Sequence, residues 1–138
     1  MIALRLAAFC FVLYGMASLC LAEWHYARGM ATHSAQDSLD HLTRAGEVYP
    51  ASFVFRTAQA NQLFALARKL DGVADVAAES LSRALAIDPS SAELMSKLLL
   101  AQRAAGHCEA AKITGERLLR LAPRSEKAKT IVALPCQG

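Results

Sequence analysis

An all-α solenoid of stacked antiparallel helix pairs, behind a single N-terminal transmembrane helix, is the fold these 138 residues predict. Three observations predict it. Pro89 and Pro123 stand 34 residues apart, as do Gly72 and Gly106, Ala77 and Ala111, Ile87 and Leu121, Phe64 and Leu98, and Leu81 and Gly115. Punctuating and apolar residues that repeat at one spacing mark an array of stacked helical hairpins. Between the punctuators, apolar residues recur every three or four positions, as on one face of a helix. Ahead of the array, residues 1–22 carry a single charge, Arg5.

Taken in order, residues 1–22 read as a signal anchor. No charge falls between Leu6 and Ala22, and about 20 apolar residues suffice to cross the hydrocarbon core. Trp24 and Tyr26 follow, where a membrane–water interface places aromatic side chains. The competing reading is a signal peptide cleaved after Ala22, because Cys20-Leu21-Ala22 loosely imitates a small-x-small site. The anchor is favoured: the −3 residue is Cys rather than Ala, and the apolar run is long for a signal sequence. A lipoprotein reading at Cys20 is weaker, since Leu19 precedes it where a small residue is expected. Arg5 and the terminal amine before the span, with Glu23 diluting the charge after it, place the N-terminus in the cytoplasm and the rest outside it.

Residues 23–57 hold the membrane exit, a degenerate first repeat and the start of the next helix. Trp24 to Thr32 continues the leading helix, and Thr32 or Ser34 is the candidate cap after it. Leu39, Leu42, Ala45 and Val48 then keep helical spacing up to Tyr49-Pro50. Leu42, Arg44, Ala45 and Val48 align with Leu81, Arg83, Ala84 and Ile87, so this is the second helix of a repeat whose first helix is the membrane exit. Residues around Ser52 to Thr57 lengthen the following helix at its N-terminal end.

Residues 58–91 form one full repeat. Ala60, Phe64, Ala67 and Leu70 make one helical face, and Asp71-Gly72 stops it because glycine tolerates the left-handed conformation. Ala74, Ala77, Ala78, Leu81, Ala84, Leu85 and Ile87 make the next, ended by Asp88-Pro89. Residues 92–125 repeat the plan. Ser90-Ser91 and Glu93 supply a cap and a first-turn acid. Leu94, Leu98, Leu99 and Ala101 precede Gly106; Ala110, Ala111, Ile113, Leu118, Leu119 and Leu121 precede Pro123. Residues 126–138 are a short capping helix and tail, with Ala128, Ile131, Val132 and Leu134 covering the last apolar face.

This register of helix, Gly turn, helix, Pro resembles the tetratricopeptide repeat (TPR). The resemblance implies that Ala65, Ala77, Ala84 and Ala111 sit where helices pack most closely. It also implies a concave groove lined by the first helices of successive repeats, which receives a protein or extended peptide segment. The groove positions map to Gln59, Gln62, Leu66 and Lys69, then Glu93, Ser96, Leu100 and Arg103. An apolar stripe at Leu66 and Leu100 beside cations at Lys69 and Arg103 suits a peptide with an acidic group; the alternative is core leucines and ordinary helix C-terminal cations. The departures are Asn61 and Met95 for an early aromatic, Arg68 and Gln102 for a tyrosine, and Gly115 for a bulky residue. The carboxylate-clamp variety needs Lys and Asn where this chain has Gln62 and Leu66, so chaperone-tail binding is not implied.

Charge is mildly basic, 15 Lys and Arg against 12 Asp and Glu, with signs mixed along every helix rather than gathered into a nucleic-acid stripe. The four histidines, His25, His33, His41 and His107, show neither HExxH spacing nor a convergent acidic partner, and His41 pairs on the surface with Asp37. Asp71 and Asp75 are explained by the Gly72 turn. No cysteine pair has metal-site spacing, and no nucleophile motif or phosphate loop is present. No catalytic residue, metal, cofactor or small-molecule substrate is therefore read. Cys108 and Cys136 fall near the same turn end of the stack, within reach of a disulfide if the domain lies in an oxidising compartment; the alternative is two free thiols. Cys10 and Cys20, in the leader, stay reduced.

The function this predicts is a protein–protein interaction scaffold. It is held in the cell membrane by residues 1–22, with its helical domain extracytoplasmic (periplasmic in a Gram-negative cell) and serving an envelope, polysaccharide or secretion assembly. The alternatives are a periplasmic or secreted binding module, if the leader is cleaved, and an accessory subunit that binds a membrane enzyme through its span.

Overall fold

The computed structural model of the chain describes residues 2–32, 34–50, 52–70 and 72–136, with side chains from residue 6 onward. Expectations resting on the Arg5 side chain, His33, Asp71, Gln137 and Gly138 lie outside them. Among the described residues there are seven helices. They are α1 (Ile2–Ala31), α2 (Ala35–Val48), α3 (Phe53–Ala67), α4 (Ala74–Ile87), α5 (Ala92–Ala104), α6 (Cys108–Leu121) and α7 (Glu126–Ala133). The chain divides into two compact units, Met1–Phe55 and Arg56–Gly138.

In the first unit α1 runs unbroken past Ala22 and pairs with α2 over its C-terminal part. Ser34 caps α2 by accepting from the Asp37 amide at 3.3 Å. Ser38 donates to the Gly29 carbonyl at 2.7 Å, His41 meets His25, and Ala45 packs in one cluster with Ala22 and Phe55. As the numbers rise on α2 they fall on α1, so the pair is antiparallel. Ala22, 0% exposed, belongs to this small core. Above it on α1 the large apolar side chains from Leu6 to Leu21 are exposed. The Leu6–Ala31 stretch is long and apolar enough to cross a membrane.

The second unit is a run of paired helices. Gly72 and Gly106 take φ of 80° and 77°, the left-handed turn that lets the chain reverse after α3 and α5 without a Cβ clash. Ser91 and Ser125 cap α5 and α7 by accepting from the Leu94 and Ala128 amides. Helix α5 is central: it packs against α4, α6 and α7. It buries Leu94, Met95, Leu98 and Leu99, while α4 buries Ala77, Leu81 and Ala84 and α6 buries Ala111 and Leu118.

Several sequence expectations are corrected here. Helix α3 ends at Ala67, so Leu70, expected on its apolar face, is exposed in the turn beyond it. Ala65, expected at a close helix contact, is exposed, because the buried line of α3 runs through Ala60 and Leu63. Ile87 and Leu121 are exposed at helix ends, and Ile113 is 60% exposed. On α6 the buried residues are Ala111, Thr114, Gly115 and Leu118. Ile113 stands two residues from Ala111, about 200° round the helix and therefore outside that stripe. Val132 of α7 sits over Gly115, where the repeat pattern has a bulky residue.

Candidate partner-binding groove

A groove of about 480 Å³ lies in the second unit, with walls from α3, α5 and α7. Phe64, Leu100 and Ile131 give it an apolar lining, with Leu118 and Ala128 beneath. Its polar edge is Glu93, Lys97 and Lys127. Lys97 donates to Asn61 on α3 at 2.7 Å and to Glu93 at 2.6 Å, and its side chain is only 24% exposed. That hydrogen bond first, and the Lys97 charge second, hold the Glu93 carboxyl below its ordinary range; Lys127 adds to the effect and desolvation opposes it. A second hollow of about 430 Å³ continues past Phe64 and Leu100 to Ala67, Arg68 and Ala104. A third, about 270 Å³, adjoins Leu100 and Arg103 and is closed by Leu134 and Pro135. Leu100 borders all three.

The α7 wall is held by few contacts. Only Ala128 among its residues is fully buried. The Arg103 guanidinium donates to the Ile131 carbonyl, which also accepts from the Leu134 amide, and, at 2.6 Å, to the Val132 carbonyl, both among the last carbonyls of the helix. Just beyond α7, Cys136 is disulfide-bonded to Cys108 at the first position of α6, with Cα atoms 5.7 Å apart. Cys10 and Cys20 are free thiols.

No protein-family profile matches the chain, and no curated protein does. Solved structures do. The first TPR of Spaghetti (RPAP3), bound to the HSP90 peptide SRMEEVD, superposes with a TM-score of 0.66 at 23% identity, covering 83% of this chain and 89% of that one. The Arabidopsis OM64 TPR domain gives 0.66 at 16% identity, covering 83% and 93%. The fold is TPR-like.

In this TPR-like array the expected groove residues divide. Glu93, Ser96 and Leu100 line the groove. Gln59, Gln62 and Leu66, half-buried on α3, are not among its lining residues. Lys69 is exposed in the turn beyond α3, and Arg103, which borders the third hollow beside Leu100, is tied to α7. A groove between neighbouring helices is lined by facing flanks, and facing flanks carry different positions of the repeat. Asn61 and Lys97, which do face each other, are 36 residues apart, whereas the period is 34. Phe64, Lys97, Lys127 and Ile131 were not among the expected groove residues. For Lys97 the signal was the Glu93–Lys97 spacing of four on a helix face.

A second polar cluster belongs to the first unit. His25 and His41 bring their Nδ1 atoms to 3.1 Å across the α1–α2 contact; His25 is 9% exposed. Trp24 lies edge-on to both rings, and Arg28 sits over its indole, 5.4 Å from the centroid. His41 thus has a partner on α1, which corrects its reading as a surface partner of Asp37. Asp75 instead pairs with His107 at 3.1 Å. Among the described residues no group of three or more His, Cys, Asp or Glu side chains is placed to hold a metal ion.

Proposed function

We propose that the chain is a membrane-anchored TPR-like scaffold whose groove receives an extended protein segment in an extracytoplasmic assembly of the cell envelope. The observation that carries the reading is the groove itself: an apolar floor of Phe64, Leu100 and Ile131 beside a polar edge at Lys97, Glu93 and Lys127. Such a surface takes an extended chain with an apolar anchor residue and a polar neighbour. The Spaghetti TPR holds a peptide in its structure, which supports peptide binding by this fold. Its chaperone ligand is not carried over, because Gln62 and Leu66 stand where the clamp needs Lys and Asn.

Two features support the topology. Ala22 is enclosed by the first helix pair, so a cut after it would divide a folded helix at a core residue; this favours a retained anchor. The Cys108–Cys136 bridge suits an oxidising compartment. The domain limits proposed are the anchor at 1–22, the first repeat within 23–57, repeats at 58–91 and 92–125, and the cap at 126–138. Nothing in the groove supplies a nucleophile with a base, so the proposed role is binding and not catalysis.

The test is photocrosslinking in intact cells with a benzophenone amino acid at Leu100, and separately at Phe11 on the exposed face of α1. A discrete protein adduct from Leu100, lost when Lys97→Glu is added, is the expected result. Adducts from Phe11 alone would overturn the groove reading in favour of an accessory subunit working through its span.

A further inference from the structure

We infer that the Cys108–Cys136 disulfide is a redox latch on the groove: it holds α7 in place as the third wall, and a dithiol reductant releases that wall. Four observations converge on α7. It contributes Lys127, Ala128 and Ile131 to the groove, and the segment just after it closes the adjoining hollow with Leu134 and Pro135. It is 8 residues long, too short to be stable as a helix on its own. Its non-covalent hold is slight: one buried alanine, the Val132 methyls over Gly115, and the Arg103 clamp on two carbonyls. The bridge two residues past Leu134 ties its far end covalently back to the start of α6.

The bridge is also reachable. Cys108 is exposed and Cys136 half-buried, so attack is assigned to the Sγ of Cys108. The attacking sulfur bonds to Cys108 Sγ, and Cys136 leaves as a thiolate that takes up a proton. The second thiol of the reductant then displaces Cys108, which takes up another. One dithiol becomes one disulfide, and the protein's bridge becomes two thiols. Once open, the end of α7 no longer has its effective concentration beside α6, and only the weak contacts remain. Arg103 loses the carbonyls that order it, and Phe64 and Leu100 lose the opposing face at Ile131. Oxidised protein therefore presents a three-sided groove, and reduced protein a two-sided one.

The consequence for a partner rests on the groove reading above, but the test does not use a partner. Amide hydrogen exchange of the full-length chain in detergent is followed by mass spectrometry before and after dithiothreitol, with the freed thiols alkylated. On reduction, peptides covering α7 are expected to exchange faster by on the order of a hundredfold, the scale of loop closure. Peptides from α4 and α5 should change little. The Cys108→Ser, Cys136→Ser double variant should match the reduced protein without added reductant. Unchanged protection of α7 would overturn the latch, because the other contacts would then suffice. Equal loss across α4, α5 and α6 would also overturn it, making the bridge a general staple. Absence of a Leu100 adduct in the oxidised protein, with the α7 result intact, would count against the binding reading alone.

Discussion

Gly115→Ala is expected to stabilise the protein. Gly115 lies inside α6, where glycine costs about 1 kcal/mol against alanine. A Cβ built there meets Val132 Cγ2 at 3.4 Å, Val132 Cγ1 at 3.5 Å and Leu99 Cδ2 at 3.8 Å, all ordinary contact distances. The added methyl therefore fills space between α6, α7 and α5 without displacing anything, and its burial contributes up to about 0.8 kcal/mol more. The net gain is about 1 to 1.5 kcal/mol, a rise in Tm of several degrees for a domain this size. Gly29→Ala is the matched opposite. Its Cβ falls 2.9 Å from Leu42 Cγ and 3.1 Å from the Ser38 carbonyl oxygen. The same propensity gain is then outweighed by overpacking of about 1 to 3 kcal/mol, because a backbone atom cannot step aside. The assay is urea denaturation of the full chain, followed by circular dichroism at matched detergent. A destabilised Gly115→Ala would mean that α7 sits closer to α6 than described. A stabilised Gly29→Ala would mean that α1 and α2 do not approach as closely as drawn.

Ala77→Leu should cost about 1 to 3 kcal/mol, since Ala77 is 0% exposed; an unchanged Tm would refute the α4 register. Arg103→Gln should speed amide exchange in α7 through the loss of two clamped carbonyls, while Lys69→Gln leaves it unchanged; equal effects would show that the clamp does not order α7. Glu93 gives the fold a small pH dependence. Its folded pKa is lowered, so its small contribution is present above the unfolded value of 4.5 and lost as pH falls through the folded one. At 74% side-chain exposure screening keeps that contribution slight, and a Glu93→Gln stability curve that still rises equally through this window would refute the assignment.

The helix count and turns were legible because Gly72, Gly106, Pro89 and Pro123 act locally, through φ and the missing N–H, whatever packs around them. Burial was legible where it followed the three- and four-residue steps, as at Ala77, Leu81, Ala84 and Leu118. It failed at Ile113 and Leu121, because apolarity alone does not place a residue on the stripe that a neighbour covers. The groove was half legible for a geometric reason: a period relates equivalent positions, and a groove joins inequivalent ones. Lys97 with Asn61 and His25 with His41 are contacts between elements, 36 and 16 residues apart, with no local pattern to announce them. Arg103 illustrates the same point, since a cation at a helix end looks alike whether it faces a ligand or the carbonyls of the next helix.

The continuity of α1 through Ala22 makes the helix a drive shaft. In the anchored reading no flexible joint separates the apolar stretch ending at Leu21 from the stretch that pairs with α2. Each residue inserted into the stretch before Leu21 would turn the α1–α2 pair by about 100° and raise it by about 1.5 Å. The number of residues in the bilayer would then set which side of that hairpin faces a neighbour in the membrane plane, and the height at which Tyr49 and Pro50 stand above the headgroups. Lengthening the span by one residue and by a full turn of about 3.6 would separate the two effects, aim and height, in a complex whose partner is held in the same membrane.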